Sequence, residues 1–206
     1  MSKTALLTGF GPFGSYERNP TESIVRELHG IQLSCGLAIY GEVLPSSYSS
    51  APEILLGLID KFSPDVILSL GYFSRAPRIR VESRGYNEMD SQYPDSLGVQ
   101  YSGVTIDYEG PEYVVTTADN EALVKAIRLR GVDAELSTDA ERFICNGLIY
   151  RITRARPEFT FGYLHTPTPE SFADLIAGQS GKNRKILIPD DHLYMAVVTA
   201  IETMIG

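Results

Sequence analysis

Cys145 and His165 are the side chains in this sequence best suited to nucleophilic chemistry. Cys145 falls in the first turn of an apolar helical pattern that starts at Phe143. His165 directly follows Leu164, with which a strongly apolar strand pattern ends. An imidazole within reach of a thiol can take its proton and so generate a thiolate nucleophile. The two residues therefore predict covalent catalysis by a cysteine, provided that the fold brings them together.

The elements around this pair predict how the two side chains would meet. We interpret residues 134–136 as a strand, residues 143–152 as the helix that carries Cys145, and residues 158–164 as the next strand. In one right-handed strand–helix–strand unit, the helix starts and the second strand ends at the same edge of a parallel sheet. Cys145 and His165 would face each other there. The helix start adds partial positive charge, which favours a thiolate and can receive an oxyanion.

Apolar strand patterns alternate with amphipathic helix patterns along almost the whole sequence. Strands are predicted at residues 4–8, 38–44 and 66–70, and helices at 20–30, 50–62, 119–130 and from 190 onward. This order predicts an α/β fold, a three-layer α/β/α sandwich around a mostly parallel twisted sheet. Between residues 78 and 100 the periodicity lapses, which is typical of a functional irregular segment. Without a repeat or linker, the sequence predicts one catalytic domain over residues 1–206.

Composition and charge narrow the class of protein. The 206 residues are 43% hydrophobic and 21% charged, close to ordinary globular domains. Lys plus Arg number 18 against 26 Asp plus Glu, and this net charge of −8 favours neither nucleic acid nor an anionic membrane as a partner. No apolar run approaches the roughly 20 residues that span a bilayer, and the N-terminus reads as a strand rather than a signal peptide. Two cysteines are too few for a disulfide framework, although one disulfide stays open, so we expect a cytoplasmic protein.

Several other chemistries lack the residues they need. Three scattered histidines and no cysteine pair give no metal-ligand spacing, so no metal is predicted. The glycine-rich stretch at residues 9–14 lacks the Lys-Ser/Thr of a P-loop, and no G-x-S-x-G motif of a serine hydrolase occurs. We therefore expect neither a metal nor an organic cofactor.

Taken one by one, the candidate residues also have purely structural interpretations. Cys145 can be a small buried hydrophobe, because free cysteine is among the most buried residue types. Phe10 and Phe13, which flank Gly-Pro, can plug a core. Glu82 can be an ordinary solvated carboxylate. These alternatives stay open on single residues.

Five segments, taken together and in order, resemble the pyroglutamyl peptidase I family of cysteine exopeptidases. The segments, with the family patterns they match, are Thr8-Gly-Phe-Gly-Pro-Phe-Gly14 (T-G-F-x-P-F-G), Asn19-Pro-Thr21, Glu82 with Asn87 (E-x-x-x-x-N), Phe143-Ile-Cys-Asn146 (F-V-C-N) and Tyr163-Leu-His-Thr-Pro167 ([FI]-x-H-[VT]-P). The resemblance extends over essentially the whole chain. It implies a phosphorylase/hydrolase-like α/β fold and hydrolysis of N-terminal pyroglutamyl (5-oxoproline) residues from small peptides.

The resemblance also implies roles for individual residues. Cys145 is expected to be the nucleophile, His165 the general base and then acid, and Glu82 the group that orients His165. A pocket for the flat pyrrolidone ring is expected from five residues: Phe10, Phe13, Tyr72, Phe143 and Ile144. The resemblance further implies no cofactor and a homo-oligomer, either a dimer or a tetramer.

Three positions depart from the family pattern near the expected site. Tyr72 stands where the family has a Gln, Gln92 where it has an Arg, and Asp139-Ala-Glu141 where it has S-x-G. A carboxylate near the thiol would oppose its ionisation and repel an oxyanion. These departures favour one alternative, a divergent cysteine amidase or peptidase with another small acyl substrate. Two further alternatives stay open: a non-catalytic binding relative on the same fold, and a nucleotide-binding or phosphate-binding module.

Overall fold

A computed structural model describes residues 3–177 and 187–206 of the chain. Its elements follow the alternation that the sequence predicts. In chain order they are β1 (Thr4–Phe10), α1 (Pro20–Leu28), β2 (Ala38–Leu44), α2 (Ser50–Phe62), β3 (Val66–Tyr72), β4 (Ile79–Glu82), β5 (Arg84–Tyr86), β6 (Glu88–Met89), β7 (Val104–Thr105), β8 (Tyr113–Val115), α3 (Asn120–Leu129), β9 (Ala134–Ser137), α4 (Ile144–Ala155), β10 (Thr160–Thr166), β11 (Thr168–Pro169), a 3-10 helix (Glu170–Ile176), β12 (Leu187–Ile188) and α5 (Asp190–Ile205).

A six-stranded sheet forms the centre of the described structure, in the order β2-β1-β3-β10-β4-β9. The strands β2, β1, β3 and β10 are parallel to one another. The strand β4 is antiparallel to β10 and parallel to β9. The predicted mostly parallel α/β sheet is therefore confirmed.

Successive side chains of β1 and β3 enter two separate apolar clusters, one on each face of the sheet. On β1, Leu7 packs with α1, α3 and α5, whereas Leu6 packs with α2 and α4. On β3, Leu68 and Ile67 divide in the same way. Helices thus cover both faces, and the three-layer arrangement follows from strands that are apolar on both sides. Among the described residues, no helix is long and apolar enough to cross a bilayer.

The expected strand–helix–strand unit around α4 is wrong in one respect. The strand β9 before α4 runs antiparallel to β10 after it, and β4 lies between them. The strand β4 lies in the stretch where the periodicity lapses. Its only apolar residues are Ile79 and Val81, which are too few to predict a strand. The start of α4 still reaches the carboxyl edge of β10, because the short link at residues 156–159 makes the helix run antiparallel to that strand.

Candidate active site

Cys145 is the second residue of α4 and is partly buried. The helix is held on the sheet by apolar residues four apart, including Ile144, Leu148 and Ile152. Phe143 is its N-cap residue, and no side chain there accepts a hydrogen bond from the first-turn N–H groups. The first turn carries no acidic residue either. The thiol therefore sits beside uncapped backbone donors that favour negative charge.

His165 and Glu82 form a buried pair next to this helix start. The distance between His165 Nδ1 and Glu82 Oε1 is 2.9 Å. Glu82 has no exposed surface and His165 is 4% exposed. Their strands are neighbours, since His165 of β10 lies opposite Arg80 of β4. The Nε of Arg80 lies 3.3 Å from the same carboxylate oxygen, so the buried negative charge has two positive partners.

The charge of His165 is set by its neighbours against the effect of burial. Burial favours the neutral imidazole and is the strongest single influence on it. The Cys145 sulfur and the Glu82 carboxylate together outweigh burial and raise the pKa of His165 to about 10. His165 is therefore disposed to hold a second proton at neutral pH while the sulfur beside it is anionic.

Gly71 is the residue of β3 that makes room for the imidazole. It lies directly opposite His165 in the parallel pair of β3 and β10. A Cβ atom on Gly71 would lie 2.5 Å from Tyr163 Oη and 2.9 Å from His165 Nε2, both closer than real contacts allow. Glycine at this position thus permits the imidazole and the Tyr163 ring to approach the neighbouring strand.

A cleft of about 910 Å³ opens over Cys145 and His165. One wall is aromatic: the Phe13 ring lies 5.2 Å from Tyr16, 6.5 Å from Tyr72 and 6.4 Å from Phe143, measured between centroids. The Tyr72 hydroxyl is anchored by a 2.9 Å hydrogen bond with Thr168 Oγ1. The cleft can therefore hold a flat, uncharged group against aromatic rings.

The loop that presents Phe13 is fixed by the start of α1. Asn19 Nδ2 donates to the Gly11 carbonyl at 2.9 Å, and Thr21 Oγ1 accepts from the Phe10 N–H at 2.9 Å. Gly9 sits so close to α1 that a Cβ atom there would lie 2.7 Å from the Thr21 carbonyl oxygen. The Gly-Pro loop and the Asn-Pro-Thr segment of the sequence therefore form one structural unit.

Comparison with known proteins decides the family. One family model, described as pyroglutamyl peptidase, matches residues 3–205. The chain belongs to the pyroglutamyl peptidase family. The resemblance drawn from the five sequence segments is thus confirmed.

Two curated relatives and one solved structure document the similarity to other members of the pyroglutamyl peptidase family. Pyrrolidone-carboxylate peptidase of Pseudomonas fluorescens is 33% identical over 204 residues, which cover 98% of this chain and 94% of that protein. Pyrrolidone-carboxylate peptidase 2 of Photorhabdus laumondii is 35% identical over 176 residues, covering 83% and 80%. The crystal structure of pyroglutamyl peptidase I from Bacillus amyloliquefaciens matches with a TM-score of 0.90 at 29% identity, covering 100% of this chain and 96% of that one.

Two of the residues expected to bind substrate do not reach the cleft of this pyroglutamyl peptidase family member. Phe10 is 5% exposed and Ile144 is 3% exposed, and both belong to the apolar cluster under α2 and α4. Phe13, Tyr72 and Phe143 do line the cleft. Phe10 is the last, buried residue of β1, and Ile144 lies on the buried side of α4. Both side chains therefore point into the core instead of the cleft.

All three departures from the family pattern line the cleft, and Tyr72 does so as part of its aromatic wall. Gln92 lines it, and so does Glu141. The Glu141 carboxylate is 2.6 Å from Arg75 Nη2, with 51% and 61% of the two side chains exposed. Glu141 also has a positive φ of 60°, a conformation that non-glycine residues seldom adopt. Its negative charge is thus compensated by Arg75 and partly hydrated.

Sequence reasoning missed three side chains that support the site. Arg80 pairs with Glu82, as described above, and Tyr163 lies beneath His165. Asn146, fully buried, accepts from the Tyr86 N–H at 2.7 Å and donates to the Glu88 carbonyl at 2.8 Å, tying β5 and β6 to α4. The alternation of β4 could have indicated that Arg80 and Glu82 share a face, but long-range pairing of β4 with β10 brings them to His165. Among the described residues, no group of three or more His, Cys, Asp or Glu side chains could hold a metal ion.

Proposed function

We propose that this protein is a cysteine exopeptidase that removes N-terminal pyroglutamyl residues from peptides. The observation that carries the proposal is the buried His165–Glu82 pair, 2.9 Å apart, whose imidazole lines a cleft together with Cys145 at the start of α4. Membership of the pyroglutamyl peptidase family supports the substrate class. The relatives from Pseudomonas fluorescens and Photorhabdus laumondii carry the name pyrrolidone-carboxylate peptidase.

In the acylation step, the Cys145 thiolate attacks the carbonyl carbon of the pyroglutamyl residue. The carbonyl π electrons move to oxygen, and the oxyanion lies near the first-turn N–H groups of α4, which stabilise it. When the intermediate collapses, the C–N bond breaks and His165 Nε2 gives its proton to the leaving nitrogen. The products of this step are the shortened peptide and a thioester on Cys145.

In the deacylation step, water attacks the thioester carbonyl while His165 Nε2 takes one of its protons. Collapse of the second intermediate breaks the C–S bond, releases 5-oxoproline and restores the thiolate. Glu82 acts throughout by accepting the Nδ1–H bond, which leaves Nε2 free for proton transfer and stabilises the imidazolium. Glu82 also offsets the cost of burying that charge.

The aromatic wall supports a small planar acyl group. The pyrrolidone ring is neutral and flat, so it can stack against Phe13, Tyr72 and Phe143 without the burial of a charge. The volume of about 910 Å³ exceeds the ring alone and leaves space for the first residues after the scissile bond. The ring therefore belongs at the aromatic wall and the peptide at the mouth.

The test is hydrolysis of pyroglutamyl-aminomethylcoumarin beside prolyl and alanyl analogues. We expect turnover of the pyroglutamyl substrate and loss of at least about 10³-fold in kcat for Cys145→Ala. Cys35→Ala, which removes an exposed cysteine, is the matched control and should retain full activity. Equal activity of the parent and Cys145→Ala would overturn the proposal. A pyroglutamyl aldehyde soaked into crystals should form a bond to Cys145 Sγ.

A second candidate keeps the same three residues and takes another small acyl group. The hydrogen bond between Tyr72 and Thr168 favours it, because a tyrosine held there gives the pocket a different shape from the Gln of the family pattern. This candidate predicts turnover of prolyl or other aminoacyl amides above pyroglutamyl amide. A binding relative without catalysis predicts no turnover of any of them.

Two further expectations accompany the proposal. Self-association into a dimer or tetramer and a cytoplasmic location both stay predictions. Sedimentation velocity across micromolar concentrations tests the first.

A further inference from the structure

Tyr163 carries a buried hydroxyl that the mechanism above does not use. The residue is fully buried on β10, two positions before His165. Its Oη atom has no hydrogen-bond partner of any kind among the described residues, sulfur included. A buried hydroxyl without a partner lowers stability, so its presence requires another interaction.

The hydroxyl lies on the same side of the sheet as the imidazole. Alternate residues of a strand share a face, and the Tyr163 and His165 rings are 5.3 Å apart at 75°. Tyr163 Oη and His165 Nε2 border the same small space over Gly71, where a Cβ atom would lie 2.5 Å and 2.9 Å from them. The hydroxyl is thus next to the nitrogen that exchanges protons in the mechanism.

The Cys145 sulfur is the third group to consider, beside the Tyr163 hydroxyl and the His165 imidazole. Cys145 packs against the apolar cluster that contains Tyr163. Burial, followed by the charge of the Cys145 sulfur, raises the pKa of Tyr163 well above its ordinary value. The phenol therefore stays protonated and has a donor to offer to an anion.

We propose that the Tyr163 hydroxyl donates a hydrogen bond to the Cys145 thiolate and is a further catalytic residue of this enzyme. The bond forms when the sulfur becomes anionic and attracts the hydroxyl hydrogen. It stabilises the thiolate in the resting enzyme. It also stabilises the thiolate that is released when the C–S bond breaks at the end of deacylation. The inference rests on the proposed function, because it takes Cys145 as the nucleophile.

The hydroxyl is an addition at this position relative to the family pattern. The motif that Tyr163-Leu-His-Thr-Pro167 resembles begins with Phe or Ile, neither of which carries a hydroxyl. Tyr163→Phe is therefore expected to fold. Because the removed oxygen has no hydrogen-bond partner among the described residues, the variant should be about as stable as the parent at a pH where Cys145 is protonated.

Other titratable groups around Cys145 are common to the parent and the variant. Tyr48, whose pKa burial raises to about 12, also feels the charge of the sulfur, and Glu82 acts through His165. The charged side chains that line the cleft are Arg75, Glu88, Asp90, Asp139, Glu141 and Arg142. Their effects cancel when the two proteins are compared at the same pH and salt concentration.

The experiment is the pH dependence of Cys145 alkylation by iodoacetamide, followed by mass spectrometry in a Cys35→Ala background. Loss of one hydrogen bond to an anion should raise the midpoint of the profile in Tyr163→Phe by about one pH unit. Below both midpoints the rate should fall roughly threefold, since a more basic thiolate is also intrinsically more nucleophilic. At a pH below both midpoints, where Cys145 is protonated in both proteins, the melting temperature should not fall.

Tyr150→Phe is the matched control, because Tyr150 is also buried and its Oη donates to the Pro111 carbonyl at 3.0 Å instead. It should lose stability and keep the parent alkylation profile. An unmoved profile in Tyr163→Phe overturns the inference, whether or not its stability changes. Since alkylation needs no peptide, a shifted profile in a protein inactive on pyroglutamyl substrate keeps the inference and rejects the proposed function.

Discussion

Glu82 and His165 are 83 residues apart in the sequence and meet inside the protein with 2.9 Å between Oε1 and Nδ1. The contact exists because β4 pairs with β10 in the middle of the sheet. A buried carboxylate at this nitrogen fixes which imidazole nitrogen faces the reaction.

Replacement of Glu82 by Gln should lower kcat about 10²–10⁴-fold with little change in KM. The amide is nearly the same size, but it no longer stabilises the imidazolium. Steady-state kinetics with a pyroglutamyl amide measure this effect. The exposed Glu27→Gln on α1 is the control and should have parent kinetics. Parent-like kcat in Glu82→Gln would remove Glu82 from the mechanism.

The raised pKa of His165 predicts an unusual titration. In the folded protein the imidazole should lose its second proton near pH 10, compared with about 6.5 in the unfolded chain. Its contribution to the free energy of unfolding is therefore complete below about pH 6.5 and is lost as the pH rises through about 10. NMR of the ring carbons measures the midpoint. In Cys145→Ala it should fall well below 10, because the neighbouring anion is removed.

That titration has a clear contrary outcome. If His165 titrates near pH 6.5 in the parent protein, the sulfur and the imidazole do not form a charged pair.

Gly71→Ala should damage both stability and catalysis. The new methyl would lie 2.5 Å from Tyr163 Oη and 2.9 Å from His165 Nε2, so one of the rings must move. We expect a loss of about 1–3 kcal/mol in the free energy of unfolding, measured in urea, and a fall in kcat. Gly57→Ala on α2 is the control: its methyl meets nothing within 4 Å, and it should stabilise the protein by about 0.5–1 kcal/mol. Parent-like stability and kcat in Gly71→Ala would contradict the close approach.

Arg75 should protect catalysis from the charge of Glu141. Both side chains are more than half exposed, so loss of the ion pair should cost less than about 1 kcal/mol of stability. Arg75→Gln should nevertheless lower kcat/KM severalfold at low salt, since the freed carboxylate repels the developing oxyanion. Adding Glu141→Gln to that variant should restore the activity. If the double variant remains as slow as Arg75→Gln, the guanidinium itself contacts the substrate.

Local patterns in the sequence were sufficient for the alternation of strands and helices and for the helix start at Cys145. They also gave the family, since five short segments in order are specific even where each alone is weak. Such features depend on side-chain periodicity and on motif residues, which can be recognised without knowledge of distant contacts. The aromatic wall with Phe13, Tyr72 and Phe143 followed from the resemblance in the same way.

Tertiary structure alone decided which side chains surround the thiol. Only the insertion of β4 beside β10 brings Arg80 and Glu82 to His165, and only burial sends Phe10 into the core rather than the cleft. The position of the Tyr163 hydroxyl beside His165 likewise depends on another strand, because Gly71 of β3 leaves space for both side chains. Strand order and side-chain burial depend on pairings between distant segments, and a short strand with two apolar residues carries no local signal of its partner.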